Sequence, residues 1–189
     1  MTRTHANTFA ASGILIIAVT LLAWGQPMIC TCGYIAPWIS SIFHSGNSQH
    51  IADWYTLSHI LHGVLVTLAG RLFFPQISAP WLLAIAALTG IAWEIVEHTE
   101  WVLGAFRATT INQGYYGDSV LNAVMDYIFM LGGFFAARAL PTLWVIVLVV
   151  VLELTAAIFG RDSMVLSTLM LVYPIEAVND WQQELNPLR

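Results

Sequence analysis

Two histidines, His59 and His62, stand three residues apart in Asp53-Trp54-Tyr55-Thr56-Leu57-Ser58-His59-Ile60-Leu61-His62-Gly63. On a helix that spacing puts both on one face. Glu94, Glu97 and His98 share a face by the same rule in Trp93-Glu94-Ile95-Val96-Glu97-His98-Thr99-Glu100. Asp118, Asn122 and Asp126 recur at every fourth position and form one polar stripe. Imidazole and carboxylate together support two chemistries. As ligands they suit zinc, manganese or iron, and paired i,i+3 ligands on facing helices are how bundle metal sites are built. As acids and bases they move protons at a reacting group. The pattern makes His59, His62, Glu97 and Asp118 candidate metal ligands, and Glu94, Asp126 and Asn122 candidate catalytic groups. Glu94 or Asp126 would act as general base, or would join the metal and activate water. The plainer alternative is an internal hydrogen-bond network that holds helix register. His-Glu-x-x-His is absent, so no metalloprotease motif decides between them.

These groups sit in a chain with little else that is polar. Of 189 residues, 58% are hydrophobic and 9% charged, with a mean hydropathy of +0.74. A soluble domain carries about 25% charge, so the solvent this chain is built for is lipid. There is no lysine, and six scattered arginines with a net charge of −5 leave no basic patch, which argues against nucleic acid as a partner. The apolar runs predict an all-α polytopic transmembrane bundle forming one domain over 1–189. Six spans are expected at about 9–25, 57–74, 79–100, 118–140, 141–160 and 163–181, with long loops at 26–56 and 101–117. No small-x-small cleavage site follows the first run, so it reads as an uncleaved span. The sixth is the shortest. Its uninterrupted apolar stretch is about a dozen residues against the ~20 that a span needs, and Pro174, Glu176 and Asp180 break its end.

If all six cross, Arg3, Arg71, Arg138 and Arg189 fall on one side and Arg107 and Arg161 on the other. The positive-inside rule then puts the N-terminus in the cytoplasm of a bacterial inner membrane and both long loops in the periplasm. Trp54, Tyr55, Trp93, Trp101, Tyr115 and Tyr116 mark the outer surface; Trp81, Trp144 and Trp181 mark the inner one. Polar groups at the starts of the second and fourth spans and the ends of the third and fifth, Glu153 among them, fall in one outer layer. A charge near the bilayer centre costs at least ~2.5 kcal/mol, so these groups should face inward around a periplasmic cavity. Arg107 and Arg161, with Tyr116, are candidate contacts for an anionic headgroup; pairing with Asp162 and lipid is the simpler role. Asn112 and Tyr115 are further rim groups. Cys30 and Cys32 are too few for a disulfide framework. They form a labile bridge if they pair, with a structural bridge, idle thiols and a redox role all open.

The segments Ile29-Cys30-Thr31-Cys32-Gly33-Tyr34, Asn47-Ser48-Gln49-His50-Ile51-Ala52-Asp53-Trp54-Tyr55, Ser58-His59-x-x-His62-Gly63, Trp93-Glu94-Ile95-Val96-Glu97 and Tyr115-Tyr116-Gly117-Asp118-Ser119-Val120-x-Asn122 resemble uncharacterised protein family 0314. The likeness runs through nearly the whole chain and implies a multi-pass inner-membrane protein of alphaproteobacterial type, with no assigned reaction. His98 departs from it where asparagine is expected, and Ala123 where serine is expected. A fainter resemblance links the His, Glu and Asp-x-x-x-Asn helices to VanZ-like membrane proteins, by analogy alone. The leading expectation is an enzyme or binder acting on a lipid or lipid-linked substrate, with a divalent metal as candidate cofactor. The rivals are an accessory subunit of an envelope complex and a cation or proton transporter. Transport needs a polar route to the cytoplasmic side, and only Glu176 and Asp180 offer one.

Overall fold

The computed structural model describes residues 1–111 and 114–186; Asn112 and Arg189 lie outside them. The described residues hold eight α-helices and a π-helical turn. These are α1 (Arg3–Ala23), α2 (Thr56–Phe73), α3 (Ala79–Glu97), α4 (Glu100–Thr109), α5 (Val120–Ala139), α6 (Thr142–Thr155, continued by the π turn Ala156–Gly160), α7 (Met164–Val172) and α8 (Glu176–Gln183). Five are long and apolar enough to cross a membrane: α1, α2, α3, α5 and α6 with its π turn. Local chemistry sets their ends. Thr2 and Ser119 cap α1 and α5 by accepting from the backbone N–H of His5 and Asn122. Pro80 opens α3 and Pro141 precedes α6, positions where a missing N–H costs nothing.

Helices α2 and α5 make the closest contact in the bundle. A Cβ on Gly63 would strike the Met130 carbonyl oxygen, and one on Gly133 would strike the Ile60 carbonyl oxygen. The two backbones thus touch through a pair of glycines, the device by which helices approach closely in lipid. Thr67 Oγ1 lies 3.2 Å from both the Gly63 and Phe134 carbonyl oxygens. At the end of the same seam Arg71 donates at 2.8 Å to the carbonyls of Ala137 and Leu140, closing the C-terminus of α5. Helix α1 lies against α3 and α5, where Tyr127 donates to the Ala10 carbonyl at 2.8 Å. Gly13 leaves the room that the Tyr127 ring occupies. Helix α6 buries only Val145 within its α-helical part and turns Leu143, Val147, Val150 and Leu154 outward, an apolar face suited to lipid.

Two segments differ from the sequence expectation. The segment 163–181 is two short helices rather than one long one. Helix α7 has 9 residues, about 13 Å at 1.5 Å per residue, and the chain turns at Pro174. Helix α8 returns to where α7 began: Arg161 donates to the Trp181 carbonyl at 3.1 Å, and Gln182 donates to the Arg161 carbonyl at 2.9 Å. Trp181 therefore lies beside Arg161 instead of at the opposite surface, and Glu176 and Asp180 ride on the returning helix. The physical reason is that α8 carries Glu176, Asn179, Asp180, Gln182 and Gln183 in eight residues, too polar to continue a span. The segment 101–117 is not all loop. It contains most of α4, whose Val102, Leu103 and Phe106 are buried and pack against Leu171 of α7.

The glycine seam generates a contrast between neighbours. Gly133→Ala places a methyl against backbone that cannot yield, and is expected to lower stability by about 1–3 kcal/mol, read as thermal midpoint in detergent. Gly132 faces open space. Gly132→Ala is expected to raise stability by roughly 0.5–1 kcal/mol through helix propensity alone.

Candidate functional site

The seam that brings Gly63 to Met130 also sets the chemistry. One helical turn back along each strand of the seam stand His59 and Asp126, with His59 Nε2 3.8 Å from Asp126 Oδ2. Helix α3 approaches from the other side and puts Glu94 Oε1 3.2 Å from His59 Nδ1. Both ring nitrogens thus face a carboxylate, and a proton on either one meets an acceptor. Asp126 is held by Thr56, whose hydroxyl donates to Oδ1 at 2.9 Å. Thr56 Oγ1 in turn accepts from the Asp53 backbone N–H at 3.1 Å. The Asp53 carboxylate accepts from the N–H groups of Ser48 (2.7 Å) and Tyr55 (2.8 Å), so it ties the long loop to the start of α2.

A second group lies beside the first. The Tyr115 hydroxyl is 2.9 Å from both Glu97 Oε1 and Asp118 Oδ1. It carries one proton and donates to one carboxylate at a time, so the other contact is a hydrogen bond only if that carboxyl holds a proton itself. Asp118 is placed to hold it: burial, then Glu97 and Glu94 nearby, push its carboxyl well above the usual carboxylate range. Tyr115 is pushed up as well, by burial and then Asp118 and Glu97, and keeps its proton. His98 completes the group. Its Nε2 accepts from the Asp118 backbone N–H at 2.8 Å, so its proton sits on Nδ1, 2.6 Å from the Glu94 carbonyl. The 3.8 Å approach of Nε2 to Asp118 Oδ2 is therefore not an ion pair.

Of these residues His59, Glu97, Tyr115, Asp118 and Asp126 line a cavity of about 290 Å³. The lining is mixed: Ser58, His62, Ser167 and Thr168 add further polar groups, and Leu65, Trp93, Phe106, Met164 and Leu171 add apolar ones. Glu94 Oε2, Glu97 Oε2 and Asn122 Oδ1 are buried with no hydrogen-bond partner among the described residues. Leaving such a group unsatisfied costs about 1–3 kcal/mol. One oxygen each from Glu94, Glu97 and Asp118 lies within 4.8 Å of the other two, a spacing that a divalent cation can bridge.

Of the candidates from sequence, the structure brings together His59, Glu94, Glu97, Asp118 and Asp126. It turns the others to different contacts. His62 lines the cavity but its Nε2 is 3.1 Å from Thr89 Oγ1. The Thr89 hydroxyl donates to the Ala86 carbonyl, so the proton of this contact is on His62 Nε2. Asn122 donates from Nδ2 to the His50 carbonyl at 2.9 Å and holds the long loop. Arg107 bonds the Tyr115 carbonyl and Glu100, and lies over the exposed Tyr116 ring. Arg161 bonds the Trp181 carbonyl and Glu184 and lies over the Trp181 ring. Glu153 accepts from the Val165 N–H at 3.2 Å, at the start of α7. Asn112 lies outside the described residues. From the sequence, Tyr115 is a rim group, and Thr56, Asp53 and His98 have no role at the site. The three-residue step from Tyr115 to Asp118 and the four-residue step from Glu94 to His98 were the available signals.

Helix α7 lines the cavity with Met164, Ser167, Thr168 and Leu171, and one buried carboxylate latches the α7–α8 hairpin. Asp162 Oδ2 accepts from Tyr55 Oη at 3.0 Å and Ser167 Oγ at 2.8 Å; Oδ1 accepts from the Ser163 N–H at 2.9 Å and Gln182 Nε2 at 3.2 Å. Burial raises the Asp162 carboxyl from 3.8 to about 6, against the lowering effect of those bonds. The docked hairpin therefore holds a proton that a detached one has lost between pH ~4 and ~6, and docking weakens as pH rises through that window, by about 3 kcal/mol in all. Amides of Met164–Val172 should exchange with deuterium more readily at pH 7 than at pH 4, after correction for intrinsic rates. Asp162→Asn should abolish that difference.

A sequence profile described as "Protein of unknown function (DUF2585)" matches residues 21–184. A UPF0314 protein of Paracoccus denitrificans is 43% identical over 185 residues, covering 97% of this chain and 96% of the relative. A UPF0314 protein of Rhizobium meliloti is 43% identical over 176 residues, covering 92% and 88%. One from Novosphingobium aromaticivorans is 42% identical over 185 residues, covering 94% and 93%. No solved structure matches. With a profile over residues 21–184 and relatives aligned along nearly their whole length, the chain belongs to the DUF2585 family of bacterial UPF0314 proteins, a family of unknown function.

Proposed function

We propose that this protein is an inner-membrane enzyme or binder whose cavity opens at the periplasmic side and takes the reacting part of a lipid or lipid-linked substrate. The observation that carries the reading is the mixed lining of the cavity, in which His59, Glu97, Tyr115, Asp118 and Asp126 stand among Leu65, Trp93, Phe106, Met164 and Leu171. A soluble polar substrate would leave the apolar lining unused, and a hydrocarbon would leave the carboxylates unsatisfied. A molecule with a polar head and an apolar body fits both. The orientation rests on the arginines: Arg3, Arg71 and Arg138 gather at the end remote from the site, against Arg107 and Arg161 at the site end.

In this reading His59 moves a proton. Its two nitrogens lie between Glu94 and Asp126, so a proton taken from a substrate hydroxyl or a water is shared at once with a buried carboxylate. The Tyr115–Asp118 pair supplies the complementary acid, since Asp118 holds its proton and Tyr115 relays it toward Glu97. A second reading rests on its own observation. One oxygen each of Glu94, Glu97 and Asp118 lies within 4.8 Å of the other two, and Oε2 of both glutamates lacks a partner among the described residues. A divalent cation there would satisfy those oxygens and polarise a substrate oxygen.

The test is incubation of purified protein with polar lipid extract and lipid-linked envelope precursors, followed by mass spectrometry. The wild type should deplete or retain one lipid class, and His59→Gln, Glu97→Gln and Asp126→Asn should lose that effect by at least about a hundredfold while keeping the helical spectrum. Absence of any change in lipid, together with no labelling of cavity residues by a photoreactive lipid, would sink the proposal. Metal analysis of the same preparations separates the two readings. Stoichiometric zinc, manganese or iron that disappears in Glu97→Gln assigns the cation; a metal-free protein with lipid activity assigns the proton relay.

A further inference from the structure

The chain carries a second reactive constellation, away from the acid–base cavity. Cys30 and Cys32 form a disulfide in the long loop between α1 and α2. The two sulfurs stand in different surroundings. Cys30 is 5% exposed and its Sγ accepts from the Cys32 backbone N–H at 3.2 Å, whereas Cys32 is solvent-exposed. His50 is 1% exposed, and its Nε2 lies 3.8 Å from Cys32 Sγ. Gly46 gives this edge of the ring its space, since a Cβ there would come within 2.8 Å of Nε2. Tyr34 stacks on the imidazole at 5.0 Å between centroids. An open cavity of about 680 Å³ runs alongside, with Cys32, Tyr34, His44 and Tyr116 in its walls.

The tautomer of His50 decides what this group can do. Its Nδ1 accepts from the Ala36 backbone N–H at 3.1 Å, so the proton is on Nε2 and points to Cys32. A neutral imidazole that ligates a metal through Nε2 must instead carry its proton on Nδ1, which would break the Ala36 bond. Burial and the neighbouring His44 hold His50 below the usual histidine range, against the opposing pull of Asp53. The group is thus a neutral N–H donor aimed at an exposed sulfur.

We propose that Cys30–Cys32 is a thiol–disulfide exchange site that accepts two electrons from an exposed dithiol of a partner protein, with Cys32 as the sulfur attacked. A partner thiolate adds to Cys32 Sγ, and the Cys30–Cys32 bond breaks. The electron pair leaves on Cys30, whose thiolate accepts the Cys32 N–H. The partner's second thiolate then attacks its own sulfur in the mixed disulfide, releasing Cys32 as a thiolate that accepts from His50 Nε2–H. The partner ends as a disulfide; the two protons its thiols gave to water on ionising are balanced by the two that the Cys30 and Cys32 thiolates take from water.

The test uses full-length protein in detergent micelles, with dithiothreitol as the probe dithiol and a maleimide gel shift to count thiols. The native bridge should open without denaturant. In Cys30→Ser, the remaining Cys32 thiol should alkylate with a midpoint below the ~8.5 of a free cysteine, and should form a mixed disulfide with glutathione. His50→Gln in that background should move the midpoint upward and slow alkylation at pH 7 by about tenfold. A bridge that opens only on unfolding overturns the proposal. So does a Cys32 midpoint at or above that of free cysteine, or a mixed disulfide that forms on Cys30 in Cys32→Ser and not on Cys32. These outcomes decide the matter even if His50→Gln fails to accumulate.

Discussion

The backbone contact between α2 and α5 at Gly63 and Gly133 governs the rest of this molecule. Two helices that meet through glycines are locked in register, because any slide along the seam drives a side chain into a carbonyl. In lipid this matters more than in water, since apolar faces gain little from each other that the lipid does not already offer. The register places His59 against Asp126 and, with α3 packed on the same pair, against Glu94. Without that contact each ionisable group would be a separate burden on insertion. With it, they become one network.

The network is arranged so that few of its charges stand alone. Thr56, Tyr115 and His98 donate to or orient the carboxylates, and Asn122 and Asp53 fasten the long loop over the ends of α2 and α5. Polar bonds fasten that loop to the helix ends, and it buries Ile39, Ile42 and Ala52. The orphan N–H groups at the start of α5 are taken by the carbonyls of Pro27, Met28 and Ser48, the accounting any buried helix end demands. At this centre Glu94, Glu97 and Asn122 each keep one buried oxygen without a partner among the described residues.

The hairpin of α7 and α8 adds a different element. Its hold on the bundle rests on Asp162 and Arg161 and on the contact of Leu171 with Val102, Leu103 and Phe106. Met164, Ser167, Thr168 and Leu171 wall the cavity, so movement of α7 changes access to the carboxylates. The left-handed backbone of Arg161, at φ 59°, makes the sharp entry into this hairpin.

Much was legible in the residues themselves. Long apolar runs define five of the helices, because lipid requires every backbone group to be satisfied within a helix. The convergence of His59, Glu94, Asp118 and Asp126 on one end followed from counting turns, since odd and even spans run in opposite directions. What the sequence alone could not decide was anything set by contacts between helices. The doubling back of 163–181 depends on Gln182 and Arg161 finding partners at the start of α7. The departure of His62 and Asn122 from the acid–base group depends on rotations about their own helices that a spacing rule leaves free. The bridging place of Tyr115, between carboxylates on α3 and on the segment before α5, appears only when the chain has folded. Periodicity determines which face a residue occupies; packing determines what that face meets.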